Sequence, residues 1–301
     1  MEFIRPFDPW RSRLCTCPPK YSLNPYTGCA HGCIYCYASA YIRDFFRCRP
    51  KRDLIRKVSR ELSKIPSGSL ISLSNTSDPY PPMEEKLKDT RRCLELFRSA
   101  GLRVLIITKS ELVARDADLL RTMNAAVTMT ITSLKHFKKL EPGASPPQRR
   151  LEALRRLSKL GIPTGLRLDP IFLYLTEEEM EDIILQAAHA GVKHVVASTF
   201  KPRWDSWRRF AQVFPEVSAE TRGMYFETGE RSGNAWLLPR QVRWELMLEV
   251  KRICEANNLS FACCREGFPQ LHTAESCDGS HLTRLEPKEP PTLPAAPYIS
   301  R

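Results

Sequence analysis

Short apolar runs alternate with amphipathic ones along most of the chain. Residues 69–74 (SLISLS), Arg103–Thr108 (RVLIIT), residues 126–132, 163–168 and 193–198 are apolar, and each is short enough to be a buried strand. Between the first two, Leu87, Thr90, Leu94 and Phe97 recur at three- and four-residue spacing, which predicts a helix over residues 87–100 closed by Gly101. A further helix runs through Asp118, Leu119 and Leu120, and another over residues 148–160 ends at Gly161. Residues 176–190 open on a threonine cap with Glu179 three positions on, a capping-box spacing. With a first strand at residues 21–24 and a first helix at 53–65, the pattern gives about six strand–helix units and an α/β fold. Six units are too few for a closed eight-unit barrel, so an open partial (β/α)6 barrel is expected, with the active face at the C-terminal ends of its strands.

After Phe200 the rhythm changes. Residues 201–238 are rich in Trp, Arg and Gly and show no clear period, whereas residues 239–257 place Val242, Leu246, Val250 and Ile253 on one helical face behind Pro239. The expected organisation is an N-terminal arm (1–19), the partial barrel (20–200) and a C-terminal, partly helical, cysteine-containing extension (201–284). A proline-rich tail (285–301) reads as disordered.

The chain has 301 residues, and no apolar run approaches the roughly 18–20 residues of a membrane span. The first residues, MEFIRPFDPWRSR, lack the apolar stretch of a secretory signal, so a cytoplasmic protein without membrane contact is expected. Lys and Arg outnumber Asp and Glu by 46 to 34, a formal charge of +12 that favours polyanionic partners, nucleic acid first. Eleven cysteines, an odd count without a signal peptide, point to metal ligation or thiol chemistry instead of a disulfide framework.

Three of them lie within eight residues of a Gly- and Pro-flanked loop, Cys29-Ala-His-Gly-Cys33-Ile-Tyr-Cys36. Such a loop can wrap three thiolates around one metal centre, as candidate ligands of an iron–sulfur cluster with one open corner. A zinc site completed by His31 and unligated core cysteines are the alternatives; zinc ligands usually come as two separated pairs. This spacing, with an aromatic residue before the last cysteine, resembles the signature of the radical S-adenosylmethionine (SAM) superfamily. The segments NPYTGCAHGCIYCYA, SNTSDPYPPMEEKLKDTRRCLEL, VLIITKSELVARDADLL and EPGASPPQRRLEALRRLSKLGIP are similar, in order, to the branch that contains spore photoproduct lyase and its DNA repair photolyase-like relatives.

The resemblance implies a partial barrel of the radical SAM type and a 4Fe–4S cluster on Cys29, Cys33 and Cys36. It also implies SAM as cofactor, cleaved reductively to a 5′-deoxyadenosyl radical, and an electron donor such as flavodoxin or ferredoxin. By resemblance Tyr35 contacts the adenine. Asn75, Thr76, Ser77 and Asp78 follow the second strand, where polar groups meet the SAM amino group. Lys109, Thr130, Glu141 and Arg150 are further candidates for holding the cofactor. Arg167 and Asp169 end the fifth strand and Thr132 the fourth.

Cys263, Cys264 and Cys277 follow the last helix, where the chain can return across the open end of the barrel. Cys264 and Cys277 are candidate catalytic thiols that supply hydrogen. An auxiliary iron–sulfur cluster, joined by Cys15 or Cys17, and simple burial are the other readings. Residues 43–64 hold nine basic side chains against three acidic ones, and residues 201–209 interleave Trp204 and Trp207 with Arg203, Arg208 and Arg209. Both segments suit phosphate contact and base stacking. The leading expectation is a radical SAM enzyme acting on DNA or RNA, by lesion reversal or base modification. Modification of a peptide, protein or small metabolite with a second cluster is the alternative, and a zinc-stabilised nucleic-acid-binding protein is a third.

Overall fold

The computed structural model describes residues 2–7, 12–73 and 75–284. The expected disordered tail lies outside these residues, as does Ser74 at the end of the second predicted strand. One sheet of eight strands organises the chain, in the spatial order of the sequence: β1 (Arg5–Pro6), β2 (Tyr21–Leu23), β3 (Leu70–Leu73), β4 (Arg103–Thr108), β5 (Ala125–Thr130), β6 (Thr164–Ile171), β7 (His194–Thr199) and β8 (Ser260–Cys263). β1 pairs antiparallel with β2; all other pairings are parallel. The two edge strands do not pair with each other, so the sheet is an open partial barrel.

The expected strand–helix alternation is present, with α1 (Leu54–Leu62), α2 (Asp89–Ser99), α3 (Pro147–Lys159) and α4 (Met180–His189) as the longer crossover helices. Alternation along each strand divides the core in two. Val104 and Ile106 of β4, with Val127 and Met129 of β5, pack against the helices, whereas Leu105 and Ala126 face inward beside Leu70.

Residues beyond Phe200 depart from the aperiodic expectation. Residues 201–238 form α5 (Trp204–Val213), α6 (Pro215–Phe226) and a short hairpin (Glu230–Ser232 with Ala235–Leu237), whereas the helix expected over 239–257 is present as α7 (Arg240–Ala256) before β8. Trp207, Phe210 and Phe214 recur at helical spacing, a signal masked in the sequence by the neighbouring arginines. β8 supplies a seventh parallel strand, Ser260 pairing with His194 and Cys263 with Ala197.

The chain then turns into the barrel. Arg103, at the start of β4, donates to the Thr283 hydroxyl (3.0 Å) and the Ser280 carbonyl (3.2 Å), and Leu282 packs on the inward Leu105 group. Residues 276–284 thus fill the N-terminal half of the interior and leave the other half as a cavity. Gly279, at φ +84°, passes within reach of His194 and Thr128, where a Cβ would stand 3.3 Å from the imidazole.

His194 is fully buried on β7, hydrogen-bonded to Ser260 at 3.0 Å and edge-on to His281. Burial, and secondarily the His281 charge, depress its pKa from 6.5 to about 3. A depressed histidine contributes stability that is complete above its unfolded value and is lost as pH falls below about 6.5. From pH 7 to pH 5 the loss from this residue is about 2 kcal/mol. Urea unfolding at the two pH values checks this: His194→Gln is expected to flatten the difference by that amount.

Candidate active site

The cysteine loop lies across the C-terminal ends of the strands. The Cys29 amide donates to the Phe45 carbonyl (2.7 Å) and the Ile34 amide to the Leu140 carbonyl (3.0 Å). Gly28 sits at φ +75° with no room for a side chain: a Cβ would fall 2.5 Å from the Phe45 oxygen and 2.6 Å from the Arg47 oxygen. His31 is buried, with Nδ1 3.0 Å from the Gly143 carbonyl and Nε2 3.1 Å from Asp78. It shapes the loop and anchors it to the sheet.

Asp78 is the anchor. It accepts from the Thr108 hydroxyl (2.7 Å), the Lys109 amide (2.8 Å) and the Tyr80 amide (2.9 Å). Burial opposes its ionisation, but the His31 charge and these hydrogen bonds prevail and hold its pKa at about 2. Next to it, Asn24 accepts from the amides of Thr76 (3.1 Å) and Ser77 (3.2 Å), and Tyr37 donates to the Asn75 carbonyl (2.6 Å).

A cavity of about 1070 Å³ opens at these strand ends. Of the residues singled out in the sequence, Cys29, Cys33, Tyr35, Cys36, Asn75, Thr76, Asp78, Lys109, Thr130 and Cys264 line it, as do Arg167 and Asp169. Ser77, Glu141, Arg150 and Cys277 do not. Glu141 and Arg150 stand behind the wall, 1% and 0% exposed, joined by a 2.6 Å ion pair. Arg150 also donates to the Ser145 (2.6 Å) and Thr130 (2.7 Å) carbonyls, so its guanidinium is committed to the fold. Glu141 accepts from Thr132 (2.9 Å) and from the Tyr35 hydroxyl, which orients the Tyr35 ring; Lys109 Nζ lies 5.6 Å from that ring's centre.

The loop residues fit an iron–sulfur cluster. All three thiols face one cavity, and burial raises each pKa, that of Cys29 to about 12, so their ionised forms need a bound cation. No three His, Cys, Asp or Glu side chains among the described residues converge on a position for a single metal ion.

The aromatic–basic stretch takes a different place from the one its composition suggested. Arg209 donates to the carbonyls of Ile34 and Cys36 (both 2.9 Å) and braces the cysteine loop; Asp205, paired with it at 3.1 Å, receives the Ser39 hydroxyl (2.6 Å). Trp207 is buried among Phe210, Tyr225 and Phe226, and Trp204, half exposed, stacks on Phe226. Of this stretch Lys201 and Arg203 reach the cavity, the Arg203 guanidinium lying over Tyr37 and Tyr41. Cys263 faces away from the cavity, its sulfur 3.4 Å from the Phe268 carbonyl and 3.3 Å from His272, and Cys93 and Cys254 lie in the core. Sequence reasoning gave no role to Asn24, Tyr37 and Arg265; the first two lie within the NPYTGCAHGCIYCYA segment, but the fold alone brings their side chains to the site.

The sequence profile of the radical SAM superfamily matches residues 23–187. The chain belongs to that superfamily and is an enzyme of it. An uncharacterized protein, ORF301, of Acidianus two-tailed virus is 30% identical over 207 residues, 61% of this chain and 68% of that one. Spore photoproduct lyase of Bacillus subtilis is 27% identical over 167 residues, 53% of this chain and 48% of that one. A solved spore photoproduct lyase, a mutant with bound AdoMet and dinucleoside spore photoproduct, superposes with a TM-score of 0.65 at 18% identity, covering 81% of this chain and 75% of that one. At that identity the likeness establishes the shared fold. No helix among the described residues is long and apolar enough to cross a membrane.

Gly28→Ala is expected to destabilise the chain by more than the roughly 1–2 kcal/mol of a left-handed alanine, because both obstructing atoms are backbone. Iron uptake on reconstitution should fall with it. Gly68, at φ +77° with nothing within 4 Å, is the control: Gly68→Ala carries the conformational cost without the clash and should leave iron uptake intact. Urea midpoints and iron content measure both.

Proposed function

We propose that the chain is a SAM-cleaving enzyme acting on nucleic acid, reversing a DNA lesion or modifying a base. Cys29, Cys33 and Cys36 are the residues that would hold a 4Fe–4S cluster, with Tyr35, Asn75, Thr76, Asp78, Lys109 and Thr130 around the SAM beside it. When bound, the cluster and SAM supply a radical able to abstract hydrogen from an unactivated carbon. The chain's own part is to fix the cysteine loop through His31 and Asp78 and to orient Tyr35 through Glu141. It also encloses the reacting atoms at the strand ends.

The observation that carries the nucleic-acid reading is the positive charge on the cavity wall. Arg5, Arg49, Lys51, Arg52, Lys57, Arg203 and Arg265 line it. The acidic groups there are largely matched already, Asp78 with His31, Asp169 with Arg167 (2.8 Å) and Asp278 with Lys20. Burial first, and the neighbouring Arg5 second, push the Lys51 pKa down to about 8. An anion such as a phosphate relieves that crowding. The fold shared with a protein solved around a dinucleoside photoproduct supports the same reading.

Two outcomes follow. Cys33→Ala should abolish 5′-deoxyadenosine formation from SAM under reducing conditions, measured by chromatography; undiminished formation rejects the ligand assignment. The triple variant Arg49→Glu, Lys51→Glu, Arg52→Glu should weaken binding to DNA or RNA oligonucleotides at low salt and lower the slope of log affinity against log salt by about one per lost phosphate contact. Wild-type protein that binds no oligonucleotide at low salt rules out the nucleic-acid reading.

A further inference from the structure

Outside the catalytic cavity, three aromatic rings from separate elements meet at the surface. Trp204 opens α5, Phe226 closes α6 and Trp236 belongs to the hairpin. The Trp204 and Phe226 rings stack 4.9 Å apart at 6°, and Trp236 meets both edge-on, at 4.9 and 5.0 Å. Three nearly equal separations make a triangle, so Trp236 cannot lie on the far side of Trp204 from Phe226. Neither ring therefore covers the outer face of the Trp204 indole, and the residue is 51% exposed.

A groove of about 480 Å³ runs beside this shelf, lined by Trp204, Trp207, Arg208, Ala211, Gln212 and Arg222. No carboxylate lines it, and neither arginine belongs to an ion pair among the described residues. Arg222 lies over the Phe226 ring (5.6 Å) and Arg231 over Trp236 (4.9 Å), so cations surround the rings. The shelf also adjoins the catalytic cavity. Arg203 and Ala235 line that cavity, and Trp204 and Trp236 are the next residues of the chain. The Trp236 amide donates to the Pro202 carbonyl (3.0 Å), which fixes the hairpin against the start of α5.

We propose that this shelf binds a single-stranded segment of nucleic acid flanking the nucleotide in the cavity, with a base stacked on Trp204 and phosphates against Arg208 and Arg222. The assignment rests on the nucleic-acid reading and carries it from the cavity to the adjoining surface. A flat indole face accepts any base, because every base has a π-face, and arginine takes a phosphate through two parallel hydrogen bonds. An apolar partner would cover the indole but leave both guanidiniums without an anion. A duplex keeps its bases stacked on one another and has none to offer Trp204, whereas a single strand supplies base and phosphate together.

Binding of the full chain to a single-stranded oligonucleotide of about ten nucleotides tests this. Trp204→Ala should weaken binding about tenfold and Trp204→Phe, which still stacks, by much less. Formation of 5′-deoxyadenosine from SAM without nucleic acid should be unchanged in both. Arg208→Ala with Arg222→Ala should lower the slope of log affinity against log salt by about one to two. Wild-type affinity in Trp204→Ala overturns the proposal; if the Arg49→Glu, Lys51→Glu, Arg52→Glu variant has lost affinity in the same assay, the nucleic-acid reading survives it. Crosslinking is independent of any variant's folding: a bromouracil-containing strand irradiated on the wild type should join the peptide that holds Trp204, and adducts confined to other peptides refute the shelf. Wild-type protein that binds no oligonucleotide removes the nucleic-acid reading and this inference with it. A concentration-dependent dimer that Trp204→Ala dissociates makes a second copy the occupant and overturns the proposal as well.

Discussion

The Asp78 carboxylate, 8% exposed, takes hydrogen bonds from the end of β4 through Thr108 and Lys109, and it faces His31 from the middle of the cysteine loop. Burying a carboxylate is unfavourable unless its oxygens are satisfied, and here both are, so the group stays ionised and the loop has one place to dock. Cys29 and Cys33 are each two residues from His31, and their position above the strands follows from that one contact. Arg209 secures the far end of the loop through the Ile34 and Cys36 carbonyls, and the narrow passage at Gly28 settles its start.

Enclosure of the site depends on the chain's return. A sheet of parallel strands with helices on one side leaves its inner face to be covered, and here residues of the same chain beyond β8 cover part of it. Residues 276–284 occupy the lower interior, and the β8 edge carries Cys264 to the upper one. Glu266, fully buried, accepts from the Thr199 amide (2.7 Å) and hydroxyl (3.0 Å) and pairs with Lys201 and Arg243, welding the end of β7 to the segment after β8. The segment after residue 200 is therefore structural to the barrel as well as peripheral to it.

How much of this was legible in the sequence varies with the range of the forces involved. Apolar runs of strand length and three-to-four spacing reveal β4, β5, α2 and α3 because burial acts on each element alone. The loop from Cys29 to Cys36 is legible because its three thiols are close in sequence. β8 was not: four residues, SFAC, become a strand only by pairing with β7, and nothing local marks the pairing. The same limit explains Arg150 and Arg209. Resemblance suggested that Arg150 holds the cofactor and composition that Arg209 binds phosphate, yet one is spent on backbone carbonyls and Glu141, the other on the cysteine loop. A charged side chain's partner is a tertiary fact, and the meeting of Cys17 with Cys277 is one too.

The placement of charge and enclosure together constrains how a nucleic acid could use this site. On the proposed reading the reacting atoms would sit within the cavity, at the strand ends, while Arg49, Lys51, Arg52 and Lys57 stand along the wall contributed by residues 49–57. A stacked base in a duplex cannot reach the interior without leaving the helix, which costs a few kcal/mol and least where the base is already damaged or unpaired. Phosphate contacts made by those cations can offset that cost without reading sequence. Selectivity would then arise from which base leaves its stack most easily and fits beside Tyr35 and Lys109, a requirement that favours lesions and single strands over intact duplex.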